Sequence, residues 1–345
     1  MGPFSVLGAG CRVPAVRYLI TGGSGYIGSR LVERLAAGGE GERILICDVR
    51  PPRVFRPGVE YRRVDVRDAT AVREAVAGER PDALVHLAFI LNPMHDEALM
   101  YEIDVGGTHN VLEACSEAGV EQVLVTSSST AYGAFPDNPV PLTEDHPVRG
   151  VPEFEYARDK AESDRLCQLW ALRHPDRVMT IVRPCIVFGP SVDNYLVRLW
   201  TRQPFQADFG LPDPGIQFVH EDDVVEALSV LLSGRHSGAF NVAGEGVMST
   251  EECASIVGLP RRRVPLRAMR RLSAAMWRLH ASEAPPGSLD FALYPWLVSN
   301  EKLKRETGWQ PRYSSRETFE ITMRAHGKLA DAGPSAAVPT PAAAA

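Results

Sequence analysis

Tyr156 and Lys160 stand four residues apart in the stretch FEYARDK (154–160). On a helix, residues at this spacing share one face, so a phenol and an ammonium group would lie side by side. An isolated tyrosine has a pKa near about 10, and a neighbouring cation lowers that pKa. The pair is either an acid–base device or solvated helix surface, with Arg158 and Asp159 expected on the opposite side of the helix.

A glycine-rich loop, TGGSGYIG (21–28), follows a short apolar strand and precedes a helical pattern. Its spaced glycines, Gly22, Gly25 and Gly28, permit a tight turn, a close approach of the backbone to a pyrophosphate, and close helix–strand packing. The N-terminus of the following helix adds free N–H groups and a positive dipole end, which bind phosphate. The loop therefore predicts a dinucleotide site.

Asp48 provides the acidic residue that such a site requires. It ends the second predicted strand, 20 residues beyond Gly28. Its carboxylate can accept hydrogen bonds from both ribose hydroxyls of NAD, and it would repel the 2′-phosphate of NADP. Arg50 and Arg53 lie close by in the sequence and would soften that discrimination. These residues favour NAD over NADP as the cofactor.

The elements that must position these residues alternate between β-rich runs and helical patterns. The predicted strands are VRYLIT (16–21), RILICD (43–48), YRRVDV (61–66), ALVHLA (83–88), VLVTSS (123–128) and MTIVRP (179–184). The predicted helices follow the glycine loop as far as Ala37 and cover 69–78, about 96–118 and 153–173. This alternation predicts an α/β fold, in which helices cover both faces of a parallel sheet.

Composition and charge argue against several classes of function. The 345-residue chain has a net charge of −6 and a pI near 5.9, which give no electrostatic footprint for nucleic acid. We interpret the arginine cluster at 261–271 as an exposed helix face. The six cysteines form no CxxC pair, so neither a metal site nor a disulfide framework is predicted. No apolar run approaches the ~20 residues that span a bilayer. The expected location is the cytoplasm, without a membrane partner.

The ordered motifs TGGSGYIG, VDVRD, HLA, SSSTAYG, YARDK and RPCIVFGP resemble the extended short-chain dehydrogenases/reductases, and more narrowly the NAD-dependent epimerase/dehydratase family. The resemblance covers about residues 16–325. It implies a catalytic trio of Ser128, Tyr156 and Lys160, with Ser127 as the neighbour that could be confused with the serine. Tyrosine would exchange a proton with a carbinol oxygen, lysine would hold the nicotinamide ribose, and serine would orient the substrate.

The same resemblance implies contacts with the cofactor beyond the glycine loop, Asp48, Tyr156 and Lys160. These further residues are Tyr26, Ile27, Asp65, Val66, Leu87, Ala88 and Pro184. Asp65 and Val66 match positions beside the adenine, whereas Leu87 and Ala88 match a strand end along the cofactor.

The resemblance also implies a Rossmann-type, doubly wound parallel sheet with a smaller, irregular substrate-binding portion. The NAD-binding domain is predicted over 16–190. The substrate-binding portion is predicted over 191–328, with some segments returning to the first domain. The flanking stretches are expected to be a flexible extension (1–15) and a disordered, low-complexity tail (329–345).

Several positions depart from the family pattern. Dehydratases carry an Asp-Glu pair where this chain has Ser129 and Thr130, so elimination of water is not expected. Two positions that help to hold a diphosphate in nucleotide-sugar enzymes are Ile186 and Ile216. Asp104 replaces a frequent asparagine, and we expect it to alter a structural hydrogen bond near the site.

We expect a small-molecule substrate, and three functions remain open. The first is an NAD-dependent epimerase or oxidoreductase acting on a carbinol or ketone carbon, with a slight preference for a nucleotide-sugar epimerase. The second, which Ile186 and Ile216 favour, is a dehydrogenase or ketoreductase on a non-nucleotide substrate such as a hydroxysteroid or a natural-product ketone. The third is a non-catalytic NAD-binding protein, which the intact Tyr156–Lys160 pair disfavours.

The family resemblance further implies a homodimer. Its members pair the helix after the fourth strand with the tyrosine-bearing helix, which correspond here to 96–118 and 153–173. Leu166, Leu169 and Trp170 give the second of these helices an apolar side.

Overall fold

The computed structural model describes residues 16–38 and 42–329. The predicted extension (1–15) and residues 330–345 of the predicted tail lie outside these described ranges. The central sheet has seven strands that all run parallel, in the spatial order β10-β6-β5-β4-β1-β2-β3. These strands are β1 (Arg17–Thr21), β2 (Arg43–Asp48), β3 (Val59–Arg63), β4 (Ala83–His86), β5 (Gln122–Thr126), β6 (Val178–Pro184) and β10 (Gly238–Val242).

Helices cover both faces of this sheet. The described helices are α1 (Tyr26–Ala36), α2 (Ala69–Glu79), α3 (Glu97–Tyr101), α4 (Gly107–Ala118), α5 (Glu155–Arg173), α6 (Tyr195–Thr201), α7 (Glu221–Ser233), α8 (Thr250–Ile256), α9 (Leu266–Arg278), α10 (Glu301–Thr307) and α11 (Ser315–Ala325). Within β1, Ile20 packs into the core beneath α1 and α7, whereas Leu19 packs into the core beneath α2, α4 and α5. Because successive strand residues point to opposite faces, a strand buried on both sides reads as one apolar run. The prediction of a doubly wound α/β fold is confirmed.

Several element boundaries differ from the predictions by one or two residues, and two elements depart further. The helix predicted over 96–118 is interrupted by a π-helical turn, Glu102–Gly106, between α3 and α4. Single π turns inside helices occur frequently at functional sites, and this one carries Asp104. The third strand spans Val59–Arg63 instead of 61–66, because the chain turns inward at Val64 and buries it in the core.

Past β6 the chain forms a cap over the carboxyl edge of the sheet. This cap contains two small parallel pairs, β7 (Ile186–Phe188) with β9 (Phe218–His220) and β8 (Gln206–Asp208) with β11 (Arg261–Arg263). A 3₁₀ helix, Pro286–Ala292, also belongs to it. Strand β10 leaves the cap and joins the main sheet beside β6.

A buried ion pair ties α5 to the sheet. The Arg183 guanidinium on β6 donates from Nε and Nη2 to the two carboxylate oxygens of Asp164 on α5, at 2.9 and 2.8 Å. Its Nη1 donates to the Tyr132 hydroxyl at 2.7 Å. Both charged side chains are almost completely buried. Since a bidentate pair tolerates little displacement, it holds the helix that carries Tyr156 and Lys160 against the sheet.

Candidate active site

The carboxyl ends of β1, β4, β5 and β6 open into one cleft of about 710 Å³, roofed by the cap. Open parallel sheets bind their ligands at this edge. The predicted site residues that line the cleft are Gly22, Gly25, Tyr26, Ile27, Gly28, Leu87, Ser128, Tyr156, Lys160 and Pro184. Gly22 and Pro184, which lie 162 positions apart in the chain, are thus brought to one cavity.

The glycine loop has the close contacts that exclude side chains. Gly22 adopts a φ of 72°, and a Cβ added there would lie 2.6 Å from the Ala88 backbone nitrogen. A Cβ on Gly28 would lie 2.2 Å from the Gly22 carbonyl oxygen. Gly25 directly precedes the first residue of α1, so the free N–H groups of that helix face the loop. This arrangement fits a pyrophosphate bound at the helix N-terminus.

Asp48 lies at the end of β2, beside the glycine loop. Its Oδ2 accepts a hydrogen bond from the Ser24 backbone N–H, and its Oδ1 accepts one from the Arg50 N–H, each at 3.1 Å. A carboxylate oxygen can accept more than one hydrogen bond, so both oxygens keep capacity for ribose hydroxyls. Arg50 lines the cleft next to this carboxylate.

Besides Asp48, three predicted cofactor residues do not line the cleft. The Asp65 carboxylate is held by the Arg67 guanidinium, with Nη2 and Oδ2 2.6 Å apart, and this contact lowers the pKa of Asp65. Val66 is buried against Gly107 at the start of α4. Ala88 contributes backbone to the wall behind Gly22. The contacts predicted for these residues therefore stay predictions.

Helix α5 places Tyr156 and Lys160 on its cleft side, as their spacing indicates, and buries both. The Lys160 ammonium donates to the Thr126 carbonyl oxygen at 2.8 Å. It also lies 3.2 Å from the centroid of the Phe89 ring and 5.8 Å from that of the Tyr156 ring. The carbonyl and the aromatic faces stabilise a cation that is otherwise removed from water.

Burial raises the pKa of the Tyr156 phenol well above its ordinary value, while Ser128 acts in the opposite direction. The Asp104 carboxylate adds to the increase. The lowering of this pKa by Lys160 that the four-residue spacing predicts stays a prediction. Without a further positive charge in the cleft, Tyr156 therefore keeps its proton at neutral pH.

Asp104 is a buried acid near the site, and the sequence motifs gave it only a structural hydrogen bond. Its Oδ1 accepts from the Ile90 backbone N–H at 2.8 Å, a bond that an asparagine could also accept, so the predicted alteration of a structural hydrogen bond stays a prediction. Its Oδ2 is buried and has no hydrogen-bond partner within the described residues. Burial raises the pKa of Asp104 and lowers that of Lys160, and each charge opposes the other's shift. The two groups therefore favour each other's charged form without a direct ion pair between them.

Two further aromatic residues of the cleft were not among the predicted site residues. Phe89 follows β4 and lies beneath the lysine, a role that only its proximity to Lys160 reveals. Tyr195 is the first residue of α6. Burial raises the pKa of its phenol, and the neighbouring Tyr156 adds a smaller increase. The Asn194 side chain caps α6 at the Val197 N–H, which fixes the start of that helix.

The expectation that Asp159 lies on a solvated face is wrong. Its side chain is fully buried, and its Oδ1 accepts from the neighbouring Arg158 Nε at 2.9 Å. Trp170, predicted on the apolar dimer side, is also buried and donates to the Ser116 hydroxyl at 2.8 Å. Both corrections have one cause, because α3, the π turn and α4 cover this side of α5.

Few charges line the part of the cleft beyond the glycine loop. Ile186 and Ile216 both line it, and so do Ser128 and Thr130. Ser129 is buried in the neighbouring 3₁₀ turn. Among the described lining residues, the cations are Arg50 and Lys160, and Asp193 is the one carboxylate, ion-paired to Arg198 at 2.8 Å.

His86 has a structural environment. Its ring nitrogens contact the Thr21 hydroxyl at 2.6 Å and the Thr108 hydroxyl at 3.1 Å. Burial and then Lys160 lower its pKa to about 3, so the ring is neutral. Residues 16–38 and 42–329 contain no group of three or more His, Cys, Asp or Glu side chains arranged to hold a metal ion. No helix in these ranges has the length and apolarity to span a bilayer.

Comparisons with known proteins agree with this geometry. An uncharacterized protein of Mycobacterium tuberculosis is 26% identical over 316 residues, which cover 90% of this chain and 84% of that protein. Short-chain dehydrogenase/reductase family 42E member 1 of Danio rerio is 30% identical over 229 residues, covering 61% of this chain and 57% of that protein. The UDP-glucose 4-epimerase of Thermus thermophilus, crystallised with NAD, superposes with a TM-score of 0.69 and 25% identity over 91% of this chain and all of that one.

The model of the NAD dependent epimerase/dehydratase family matches residues 18–243, which is well over half of the chain. The family resemblance is therefore confirmed. NAD is confirmed as the cofactor, because the family is NAD dependent and the superposed epimerase was crystallised with NAD. The chain is a member of the NAD dependent epimerase/dehydratase family.

Proposed function

We propose that this protein is an NAD-dependent oxidoreductase that interconverts a carbinol and a ketone on an apolar, non-nucleotide substrate. The observation that carries the proposal is the charge of the cleft. Beyond the cofactor loop it is lined mainly by aliphatic and aromatic side chains together with neutral polar ones such as Asn194 and Gln206, and its two cations are Arg50 and Lys160. Arg50 adjoins Asp48 at the ribose end, and Lys160 belongs to the catalytic trio, so the described lining leaves no cation for a substrate diphosphate.

A substrate diphosphate carries two negative charges, which enzymes bind with cations or with several aligned N–H donors. Ile186 and Ile216 offer neither at the two positions where nucleotide-sugar enzymes often hold the diphosphate. This reverses the slight preference for a nucleotide-sugar epimerase that the sequence alone suggested. The epimerase is the second candidate, supported by the likeness to a UDP-glucose 4-epimerase.

The glycine loop, Asp48 and Lys160 would hold NAD, which when bound supplies the hydride acceptor or donor at its nicotinamide ring. The residues fit this group, because close backbone contacts at Gly22 and Gly28 exclude a Cβ and let the loop turn tightly before the N-terminus of α1. Asp48 would accept from the ribose hydroxyls with the capacity left on its two oxygens.

Tyr156 would act as the acid or base at the substrate oxygen. Burial raises the pKa of its phenol, so in the reductive direction it is a proton donor to a developing alkoxide. In the oxidative direction the phenol must first lose its proton, which a positive charge beside it favours. Ser128, on the same side of the cleft, would orient the substrate oxygen.

Lys160 would serve as a fixed cation beneath this site. Its bond to the Thr126 carbonyl and its position over Phe89 set where the ammonium lies. The carboxylate of Asp104 favours the charged form of Lys160, which burial disfavours. Asp104 therefore acts through Lys160 as a positioning residue.

Dehydration is not supported. Ser129 and Thr130 replace the acidic pair of the family's dehydratases, and a hydroxyl is too weak an acid to protonate a leaving hydroxide. Asp193, the acid of the described lining, is exposed and already paired with Arg198. An oxidoreductase or epimerase mode, in which tyrosine alone moves the proton, fits these residues better.

The homodimer and the cytoplasm stay proposals. Of the three apolar residues predicted at the dimer face, Leu169 is exposed, and Leu172 one turn further on α5 is exposed as well. The five cysteines within the described ranges are buried free thiols, which suit a reducing compartment. Sedimentation velocity of the wild type and of Leu169→Asp tests the dimer, since a charge in a shared apolar contact would dissociate it.

The substrate class is tested with two parallel assays on the purified protein. We expect NADH oxidation with apolar ketones, or NAD reduction with apolar secondary alcohols, and no interconversion of UDP-glucose and UDP-galactose. Ile216→Arg places a charge in the apolar wall and should lower kcat/KM for the apolar substrate. Leu211→Arg, at an exposed residue that does not line the cleft, is the matched control. Robust UDP-sugar epimerisation would overturn the substrate class.

A denaturing release assay separates the two modes of hydride transfer. We expect the purified protein to carry little NAD and to bind it on addition, because an oxidoreductase exchanges its cofactor in every cycle. Stoichiometric NAD released on denaturation would instead favour an epimerase. If Tyr156→Phe keeps both NAD binding and cellular function, the protein is a non-catalytic NAD-binding protein.

A further inference from the structure

Helix α9 (Leu266–Arg278) is attached to the rest of the molecule along one narrow side. None of its 13 residues is buried. Its inner side rests on the 3₁₀ helix of the cap, where Arg270 Nη2 donates to Asp290 Oδ1 at 2.7 Å. The Trp277 ring stacks on His95 with centroids 3.8 Å apart. The remaining circumference of the helix faces outward.

The outward surface of α9 divides into two stripes. At 100° per residue, one stripe is apolar and every member of it is exposed: Ala268, Leu272, Ala275, Met276 and Leu279. Leu272 and Leu279 are 52% and 76% exposed. The adjoining stripe contains Arg267, Arg271 and Arg278, which have neither an ion pair nor a hydrogen bond to any residue that the structure describes.

The charge around this helix is strongly one-sided. Residues 261–282 contain seven arginines and no aspartate or glutamate, although the chain as a whole has a net charge of −6. Some of these arginines are neutralised, since Arg261 and Arg263 contact Asp208, and Arg270 contacts Asp290. The three arginines of the outer stripe therefore present an uncompensated positive surface beside exposed leucines.

This combination selects one kind of partner. A protein core normally covers the apolar stripe of an amphipathic helix, and a polyanion such as nucleic acid would contact the arginines but leave the leucines in water. A helix with a cationic face and an apolar face, lying flat, is typical of the bilayer interface. Because no described helix can span a bilayer, the contact would be with the surface of the membrane.

We propose that α9 docks this protein on the surface of a membrane rich in anionic lipids. The leucines and Met276 enter the boundary between head groups and acyl chains, while the arginines bind lipid phosphates. This contrasts with the sequence expectation of a plain exposed helix face and no membrane partner. Met269 and Met276 also line the cleft, so a helix docked in this way places the mouth of the cleft beside the lipid. The docking itself does not depend on the proposed function.

Vesicle flotation of the full chain tests the proposal directly. Vesicles of phosphatidylcholine alone are compared with vesicles that also contain phosphatidylglycerol. We expect binding to the anionic vesicles at about 0.05 M salt and little to the neutral ones, with binding reduced at about 0.5 M salt as the charges are screened. No binding of the wild-type protein to anionic vesicles at low salt would overturn the proposal.

Variants of the two stripes assign the binding to α9. R267Q/R271Q/R278Q should lower the partition coefficient by roughly tenfold or more, because each basic residue near an anionic surface contributes to binding. Lysines at the same three positions should restore it. L272D/L279D should also abolish binding. The charge-matched control is R63Q/R80Q/R173Q, at three exposed arginines that have no ion-pair partner among the described residues. This control should bind like the wild type.

Equal binding by the arginine-to-glutamine variant and the control would place the lipid contact elsewhere and overturn the proposal. A second result would also overturn the proposal. In it, sedimentation velocity shows that the wild type self-associates and L272D/L279D does not, while vesicles bind neither protein. The apolar stripe would then be covered by a second copy of the chain. Thermal denaturation and NAD binding confirm that each variant is folded. If L272D/L279D fails to fold, the arginine and lysine series decides. None of these measurements uses substrate turnover, so failure here leaves the proposed function standing.

Discussion

Helices α5 and α9 both carry closely spaced charges in the sequence, yet they differ strongly in burial. Ten of the 19 residues of α5 are buried, including Asp159, Lys160 and Asp164. In α9 no residue is buried, and its exposed side includes Leu272 and Leu279. The helix that carries the charged stretch FEYARDK is therefore the more buried of the two, and the amphipathic helix lies at the surface.

The difference shows that burial depends on compensation of charge as much as on hydrophobicity. Three of the four buried charged side chains of α5 have a partner: Asp164 has Arg183, Asp159 has Arg158, and Lys160 has the Thr126 carbonyl. The fourth, Glu155 in the first turn, has no ion pair with a described residue. Such partners reduce the large cost of removing a charge from water. The apolar stripe of α9 has no opposite surface in the described fold, so its leucines stay exposed.

The largest effect is expected at the side of α5 that carries Tyr156 and Lys160. Tyr156→Phe removes the hydroxyl that we propose as the acid–base group and should lower kcat by about 10²–10⁴-fold, the usual contribution of general acid–base catalysis. NAD binding, measured by calorimetry, should be nearly unchanged. Tyr18→Phe, at a buried tyrosine outside the cleft, is the matched control and should keep activity. Comparable losses in both variants would contradict a chemical role for Tyr156.

The effect of charge compensation on stability is tested at the Arg183–Asp164 ion pair, which holds α5 against the sheet. Arg183→Met leaves the Asp164 carboxylate buried and unpaired, which typically lowers the free energy of unfolding by about 3–5 kcal/mol. Arg34→Met removes a partly exposed pair with Glu226 and should change it by about 1 kcal/mol or less. Urea denaturation measures both variants. Equal effects would show that burial does not distinguish the two pairs.

A smaller, pH-dependent effect is expected for Asp104→Asn. The Asp104 carboxylate raises the pKa of Lys160, which burial lowers, so its removal lowers that pKa further. If the protonated lysine is the active form, activity falls as the pH rises through this pKa, and the variant should lose activity at a lower pH than the wild type. The pH profile of kcat/KM measures the displacement.

Asp176→Asn is the control for this comparison, because Asp176 is exposed just beyond α5 and forms no ion pair with a described residue. Its pH profile should match that of the wild type. A profile for Asp104→Asn with a lower amplitude but an unchanged alkaline limb would mean that Asp104 has a purely structural role.

The smallest effect on stability is expected in α9. Leu272→Ser together with Leu279→Ser should change the free energy of unfolding by no more than about 0.5 kcal/mol per site, as is usual for exposed positions. Leu228→Ser, at a fully buried leucine of α7, should cost several times more. Urea denaturation again provides the measurement. A large loss in the α9 variant would mean that its stripe packs against protein.

Much of the cofactor site follows from the sequence because its determinants are local. A strand, three spaced glycines and a helix form a phosphate-binding turn wherever they occur together, and the contacts at Gly22 and Gly28 agree with that prediction. The four-residue spacing of Tyr156 and Lys160 places both on the same side of α5 by helix geometry alone. The alternation of apolar strands and helices likewise predicts the doubly wound sheet.

Tertiary structure decided which of these residues are buried and what they contact. Nothing local places Phe89 beneath Lys160, leaves Asp104 Oδ2 without a partner in the described core, or covers Asp159. The same holds for the apolar lining of the cleft and for the uncovered stripe of α9. The sequence by itself determined the periodic, short-range features, because backbone geometry relates neighbouring residues directly. Burial and charge pairing depend on surfaces that meet only after the chain has folded, so only the tertiary structure could decide them.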